Sequence, residues 1–264
     1  MAMPGRFAIV GRMRWSLALL VGLVGCVNFH PLHRAAAGKV PADATAVRWR
    51  ANWQTIGQSV EGRPLRIARV GQGARRVVWI GGIHGDEREG RIATEELPYA
   101  FLDVPGADAL VTLTILEDAN PDGSHHGTRG NQNGVDLNRN HPARNFLPSA
   151  QFGQEPLDQP ESRAVHELIL REQPHLVIVA HAWRGDHFVN FDGPGLELAQ
   201  EFSRRSGYRV KDSRHIPPTP GSLGSWVGNT LGIPILTLEY ERGSDPHADW
   251  LDTRAAIVAV ILGS

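Results

Sequence analysis

Short, nearly unbroken apolar runs alternate with amphipathic stretches from about residue 47 to the C-terminus. Arg76–Ile83 (RVVWIGGI), Ala109–Leu116 (ALVTLTIL), His175–Ala180 (HLVIVA) and Ile233–Leu238 have the composition of strands buried on both faces. Helical spacing marks Glu87–Phe101, Glu161–Glu172, Pro194–Ser206, Ser222–Leu231 and Ala248–Leu262. In Glu161–Glu172, Ala164, Val165, Leu168 and Ile169 fall on one face. Strands separated by helices predict a single α/β domain with a mostly parallel (mixed) central sheet and helices on both faces. Ligands of such sheets bind beyond the carboxyl ends of the strands. Asn120–Leu147 is rich in Gly, Asn and Pro and reads as a long loop that follows a strand end. Loops of that length are usually functional or disordered.

The first residues break this pattern. Arg6, Arg12 and Arg14 precede an uncharged, mostly apolar run from Trp15 to Gly25. That run is too short to cross a bilayer as a helix but suits the core of an export signal. It ends Leu23-Val24-Gly25-Cys26, which resembles a bacterial lipobox, with Cys26 as the acylated residue after cleavage. Met13 is an alternative start. The expected organisation is a signal peptide over 1–25, a lipid-anchored tether over 26–46 and one catalytic domain over 47–264. The expected location is the cell envelope, facing the periplasm, with the outer membrane as default because Val27 is not an acidic retention signal.

Composition narrows the chemistry. Lys and Arg number 27 against 28 Asp and Glu, so nothing draws the chain to nucleic acid. A single Cys excludes an intrachain disulfide and any multi-thiolate zinc site. Twelve His leave a histidine-ligated metal as the open possibility.

Three candidate groups stand at predicted strand ends. His84-Gly85-Asp86-Glu87 places a His and a Glu three apart around a glycine. His181 follows HLVIVA, and Glu239 follows Ile-Leu-Thr-Leu. Two His and one carboxylate with a fourth position open form a hydrolytic zinc site, and a further carboxylate nearby takes the proton of the attacking water. Each residue alone is weak; their joint position at one rim is the signal.

The sequence is similar to the zinc carboxypeptidases of the carboxypeptidase A type. The similarity rests on HGDE after GGI, Asn120-Pro121-Asp122-Gly123, Arg129, the run Gly134-Val135-Asp136-Leu137-Asn138-Arg139-Asn140, and Ile56-Gly57-Gln58-Ser59 with Glu61-Gly62-Arg63-Pro64 upstream. It covers roughly Asn52 to Tyr240. The resemblance implies one Zn²⁺ held by His84, Glu87 and His181, with Glu239 as general base and then acid. It implies Arg129 beside the developing oxyanion, Asn138 and Arg139 on the substrate's terminal carboxylate, and Asp136 bonded to His84.

Within the family, Arg129 to Asn140, Thr219–Trp226, Leu231–Pro234 and Thr237–Glu239 most resemble the murein peptide amidases. Those enzymes cut between γ-D-glutamate and diaminopimelate, so murein-derived peptides are the expected substrate and the membrane, through a lipid anchor, the expected partner. The same chemistry on other substrates, as a broad carboxypeptidase or another acyl-amino-acid amidase, stays open, as does a non-catalytic murein-peptide-binding lipoprotein.

Other residues carry two readings. Asp136 is either a partner of His84 or only a loop cap. Asn120–Gly123 is by itself a turn sequence, Asp86 and Glu89 read as solvated or capping groups, and His125 and His126 as exposed loop residues or as groups at the cleft rim. Trp183, Arg184, Asp186 and His187 line the cleft or form a polar surface loop, and His215–Gly221 is expected to wall the cleft. Tyr240 faces away from Glu239 if both lie on one strand.

Overall fold

The computed structural model describes residues 52–264; the signal, the tether and Cys26 lie outside the described residues. Its centre is an eight-stranded mixed sheet in the order β1-β2-β4-β3-β5-β8-β6-β7. The strands are β1 (Gln54–Gln58), β2 (Pro64–Val70), β3 (Arg75–Ile80), β4 (Val111–Leu116), β5 (Leu176–Trp183), β6 (Phe188–Asp192), β7 (Arg209–Asp212) and β8 (Ile235–Glu241). The four inner strands β4, β3, β5 and β8 run parallel, and antiparallel pairs join β2 and β6 to them. This is the mixed α/β sheet that the apolar runs predict.

Alternation along the inner strands feeds two cores. Val77, Trp79, Ile178, Ala180, Leu238 and Tyr240 point to one face, where helices α1 (Arg91–Leu102), α2 (Ala107–Leu110), α5 (Leu196–Ser206) and α6 (Pro246–Leu262) cover them. Val78, Ile80, Val177, Val179 and Ile235 point to the other, under α4 (Pro160–Glu172) and a π-helical turn at Ser225–Thr230. Full burial of each such aliphatic side chain contributes roughly 1.5–3 kcal/mol of transfer free energy. Among the described residues no helix is long and apolar enough to cross a membrane.

Several expected boundaries shift. The helix expected from Glu87 begins at Arg91, because residues 87–90 form the loop that turns Glu87 back toward His84. The expected long loop contains a short helix, α3 (Pro121–His126), capped by Asn120, whose side chain accepts from Gly123 N at 2.9 Å. Strands β1, β2, β6 and β7 were not expected from the apolar pattern.

Candidate metal centre

Strand ends bring the ligand residues together. β3 ends at Ile80 beside Val179 of β5, and the chain then loops through His84. Gly85 is required in that loop: a Cβ there would lie 1.9 Å from the backbone of Gly123, so the loop packs directly against α3. On β5, Val177, Val179 and His181 share a face. His181 and Glu239 are paired across the parallel β5–β8 ladder, so Glu239 points to that same face. Tyr240 points the other way, is fully buried, and lies 3.5 Å from Thr253 Oγ1.

Three donor groups converge. His84 Nδ1 lies 2.9 Å from Glu87 Oε1, His181 Nδ1 lies 3.0 Å from Glu87 Oε2, and the two Nδ1 atoms are 3.0 Å apart. These three residues are the only metal-capable His/Cys/Asp/Glu group among the described residues. Tetrahedral zinc with ligands at about 2.1 Å places its donor atoms roughly 3.4 Å apart, so the cluster accepts the ion with shifts of a few tenths of an ångström.

Hydrogen bonds around the cluster set the tautomers. Asp136 Oδ1 accepts from His84 Nε2 at 3.0 Å, which leaves the His84 Nδ1 lone pair aimed at the cluster. Asn138 Nδ2 donates to His181 Nε2 at 3.2 Å, while its Oδ1 accepts from Leu223 N at 2.9 Å. His181 Nδ1 then carries the proton shared with His84 and Glu87, and a divalent cation that displaces it keeps all three donors in place.

Electrostatics agree with this layout. Burial pulls the His84 ring down, but Asp136 and Glu87 outweigh it and raise its pKa. Burial pushes Glu87 up, yet His181 and His84 hold it far below the usual carboxylate range. Asp136 is held low in the same way, burial being outweighed by His84 and Arg129. Glu239 is the exception: burial dominates and raises its pKa, with His181 opposing and Glu87 assisting. A carboxylate whose pKa burial raises, beside a metal-binding cluster, suits proton transfer.

Arg129 donates to Glu87 Oε1 at 3.0 Å and to Asp136 Oδ2 at 2.9 Å, which puts its guanidinium at the cluster edge. Arg139 donates to Asn138 O at 2.7 Å and, among the described residues, pairs with no carboxylate. Burial outweighs Asp136 and lowers its pKa. Asp136 fills both of its expected parts, because it also accepts from Asn138 N at 2.9 Å and so caps the turn Leu137–Arg139.

Asn120–Gly123, expected as a turn, is instead the cap and first turn of α3. Asp122 is fully buried and accepts from Ser59 Oγ at 2.6 Å and Glu61 N at 3.0 Å. His125 and His126 are exposed. Glu89 is not solvated: it is buried and accepts from Gly243 N at 2.7 Å. Asp86 pairs with Arg242, whose other nitrogen stands 3.7 Å from Glu87. Arg242 went unnoticed in the sequence, where nothing but its nearness to Glu239 marks it.

Of the four residues after His181, Trp183 keeps to the ligand face and meets Phe188 edge-on at 5.7 Å. Asp186 pairs with Arg209, and His187 stacks on Tyr208 at 4.1 Å, toward the opposite core. Arg184 is exposed. The loop before the π-helical turn packs on the Arg139 segment, with His141 N donating to Gly221 O at 2.9 Å.

Comparison with known proteins places this geometry. The zinc carboxypeptidase family model matches residues 49–245. Murein peptide amidase A of Escherichia coli strain K12 is 30% identical over 225 residues, covering 73% of this chain and 82% of that protein. The crystal structure of a murein-tripeptide amidase from Escherichia coli O157 superposes with a TM-score of 0.64 at 25% identity, covering 81% of this chain and 93% of that one. Carboxypeptidase A from Helicoverpa armigera has the same fold, with a TM-score of 0.67 at 20% identity over 81% of this chain and 69% of that one.

Proposed function

The chain belongs to the zinc carboxypeptidase family and is a hydrolytic enzyme, and from that premise we propose that it is a zinc-dependent murein peptide amidase that releases diaminopimelate from γ-D-glutamyl-diaminopimelate. The observation that carries the chemistry is the convergence of His84, Glu87 and His181 next to Glu239, fixed by the β5–β8 register. The substrate is supported by the likeness to murein peptide amidase A over most of both chains.

His84 Nδ1, His181 Nδ1 and a Glu87 oxygen would hold one Zn²⁺. When bound, the ion polarises the scissile carbonyl and lowers the pKa of water toward neutrality. Glu239 takes a proton from the attacking water through its carboxylate oxygen as the oxygen bonds to the carbonyl carbon. It returns that proton to the departing amine nitrogen as the C–N bond breaks. Arg129 stabilises negative charge that develops on the carbonyl oxygen, and its anchors Glu87 and Asp136 hold it there. Arg139 grips the terminal carboxylate, for which its unpaired guanidinium is suited.

Export and lipidation at Cys26 belong to the same reading and are supported by the basic, apolar and Leu-Val-Gly-Cys order of the N-terminus. They would deliver the enzyme to the compartment that contains murein. Mass spectrometry of the mature N-terminus checks this: diacylated Cys26 as residue one is expected, and an intact Met-initiated chain refutes it. For the activity, purified protein is incubated with L-Ala-γ-D-Glu-diaminopimelate and with ordinary peptides bearing free C-termini. Release of diaminopimelate is expected; trimming of ordinary peptides alone contradicts the reading.

A further inference from the structure

Arg242 is a cation at the rim of the cluster that the chemistry above does not use. It directly follows Glu241, the last residue of β8. Its N–H donates to Trp183 O at 2.9 Å, which carries the β5–β8 pairing one step further. The next residue, Gly243, donates its N–H to the buried carboxylate of Glu89 at 2.7 Å. Gly243 has φ +86°, a conformation that glycine adopts freely, so the chain turns sharply there. Backbone bonds on both sides thus fix the point from which the Arg242 side chain starts.

The two ends of its guanidinium differ. One nitrogen donates to Asp86 Oδ2 at 2.7 Å. The other stands 3.7 Å from Glu87 Oε1, outside hydrogen-bond reach. Of the acids around it, Asp86 is already bonded to it, Glu89 is turned to Gly243 N, and Glu87 bonds His84, His181 and Arg129. The Arg242 side chain is 28% exposed, so a ligand can reach it. A guanidinium held at one nitrogen and free at the other suits a carboxylate from outside.

The contacts of the cluster say which part of a substrate meets it. Asn138 bonds His181 Nε2, and Arg139 follows Asn138, so the proposed grip on the leaving residue stands at the His181 end. Arg242 stands at the Glu87 end, beside Asp86. A substrate whose leaving residue points to Arg139 therefore turns its acyl residue toward Arg242. In a γ-glutamyl amide the reacting carbonyl belongs to the side chain, so the α-carboxylate of the acyl residue stays free. It lies two methylenes and the α-carbon beyond the reacting carbon, at most about 5 Å away. An α-linked peptide offers no main-chain carboxylate on that side.

We propose that Arg242 binds the free α-carboxylate of the γ-D-glutamyl residue and so selects γ-linked over α-linked substrates. This rests on the murein-amidase reading and deepens it. Asp86, through its bond to the guanidinium, and Glu89, through the turn at Gly243, position Arg242 for the contact.

The test compares kcat/KM of the full chain on L-Ala-γ-D-Glu-diaminopimelate and on the same peptide with the glutamyl α-carboxylate converted to its amide. The wild type is expected to cleave the amide roughly 10- to 100-fold less well, the scale of a charge-assisted hydrogen bond. In Arg242→Met that ratio should fall to about twofold or less. Arg139→Met should keep the wild-type ratio, because it acts on the other side of the scissile bond. These are ratios within one protein, so damage to folding or zinc content cancels. If Arg242→Met does not fold, Arg242→Gln, which keeps an N–H for Asp86, takes its place. Equal cleavage of acid and amide by the wild type overturns the proposal, as does the full ratio kept without Arg242. Cleavage of neither peptide by the wild type strikes instead at the amidase reading.

Discussion

His181 and Glu239 are direct partners across the parallel β5–β8 ladder, so backbone register alone puts a metal-binding imidazole and a proton-accepting carboxylate on one face of the sheet. A slip of one residue would send Glu239 into the core that now holds Tyr240. The pairing is secured by apolar residues on both sides, Ala180 with Leu238 and Ala182 with Tyr240.

Glu239→Gln tests the carboxylate without changing its shape. Zinc content should match the wild type, because the three donors are elsewhere. Turnover should fall roughly a hundred- to ten-thousand-fold, the scale of general acid–base catalysis. Thermal stability should hold or rise slightly, since a buried carboxylate with a raised pKa is replaced by a neutral amide. Metal analysis with steady-state kinetics checks this; near-normal turnover removes Glu239 from the reaction.

Asp136→Asn tests the tautomer argument. Asp136 accepts from His84 Nε2, Asn138 N and Arg129 Nε, and the first of these contacts aims His84 Nδ1 at the ion. An amide is a weaker acceptor for all three donors. Zinc affinity should fall about 10- to 100-fold, as for other groups behind a metal ligand. Competition against a chelator of known affinity measures it, and unchanged affinity would reduce Asp136 to a loop cap.

Asp118 predicts a pH effect separate from the metal. Burial raises its pKa to about 6, against Ser124 and Asn120 N, which pull it down. An unfolded Asp titrates near 3.9. Between about pH 4 and 6 the folded chain therefore keeps a proton that the unfolded chain has released, and stability falls as pH rises through that window. Asp118→Asn removes this loss. The variant should melt level with the wild type near pH 4 and several degrees higher at pH 7, for a gain of up to roughly 3 kcal/mol. Melting curves of both proteins across this range decide it; a difference that does not vary with pH contradicts the assignment.

What the sequence made legible follows from burial. β3, β4, β5 and β8 are covered on both faces, so VVWI, VTLTIL and HLVIVA stand out as apolar runs, and the reactive groups were found because they directly follow such runs. β1 (QTIGQ) and β7 (RVKD) are short, partly exposed edge strands with no such signal. β2 (PLRIARV) carries partial alternation and was findable by its period of two. Asn120 and Pro121 announced α3 with a cap and an N1 proline, but the glycines around them favoured a loop. Arg242 gave no local signal, because its partners come from a loop that only the fold brings beside it.

Arg139 closes the account of the cleft. It sits in a turn capped by Asp136, one residue beyond the Asn138 amide that joins His181 to Leu223. Its guanidinium is mostly buried, donates to Asn138 O and forms no direct ion pair among the described residues, Asp136 and Glu239 acting on it only at longer range. A buried cation without a directly bonded anion is costly, and a substrate carboxylate offers it a two-pronged contact. Arg139→Met should therefore raise KM about 10- to 1000-fold for a substrate with a free carboxylate on the leaving residue, with a smaller change in kcat. The same substrate with that carboxylate amidated should be poor for the wild type and hardly altered by the mutation. Steady-state kinetics on the matched pair measure the ratio. If Arg139→Met still prefers the free acid by the wild-type factor, the carboxylate is held elsewhere and the leaving residue sits differently in the cleft.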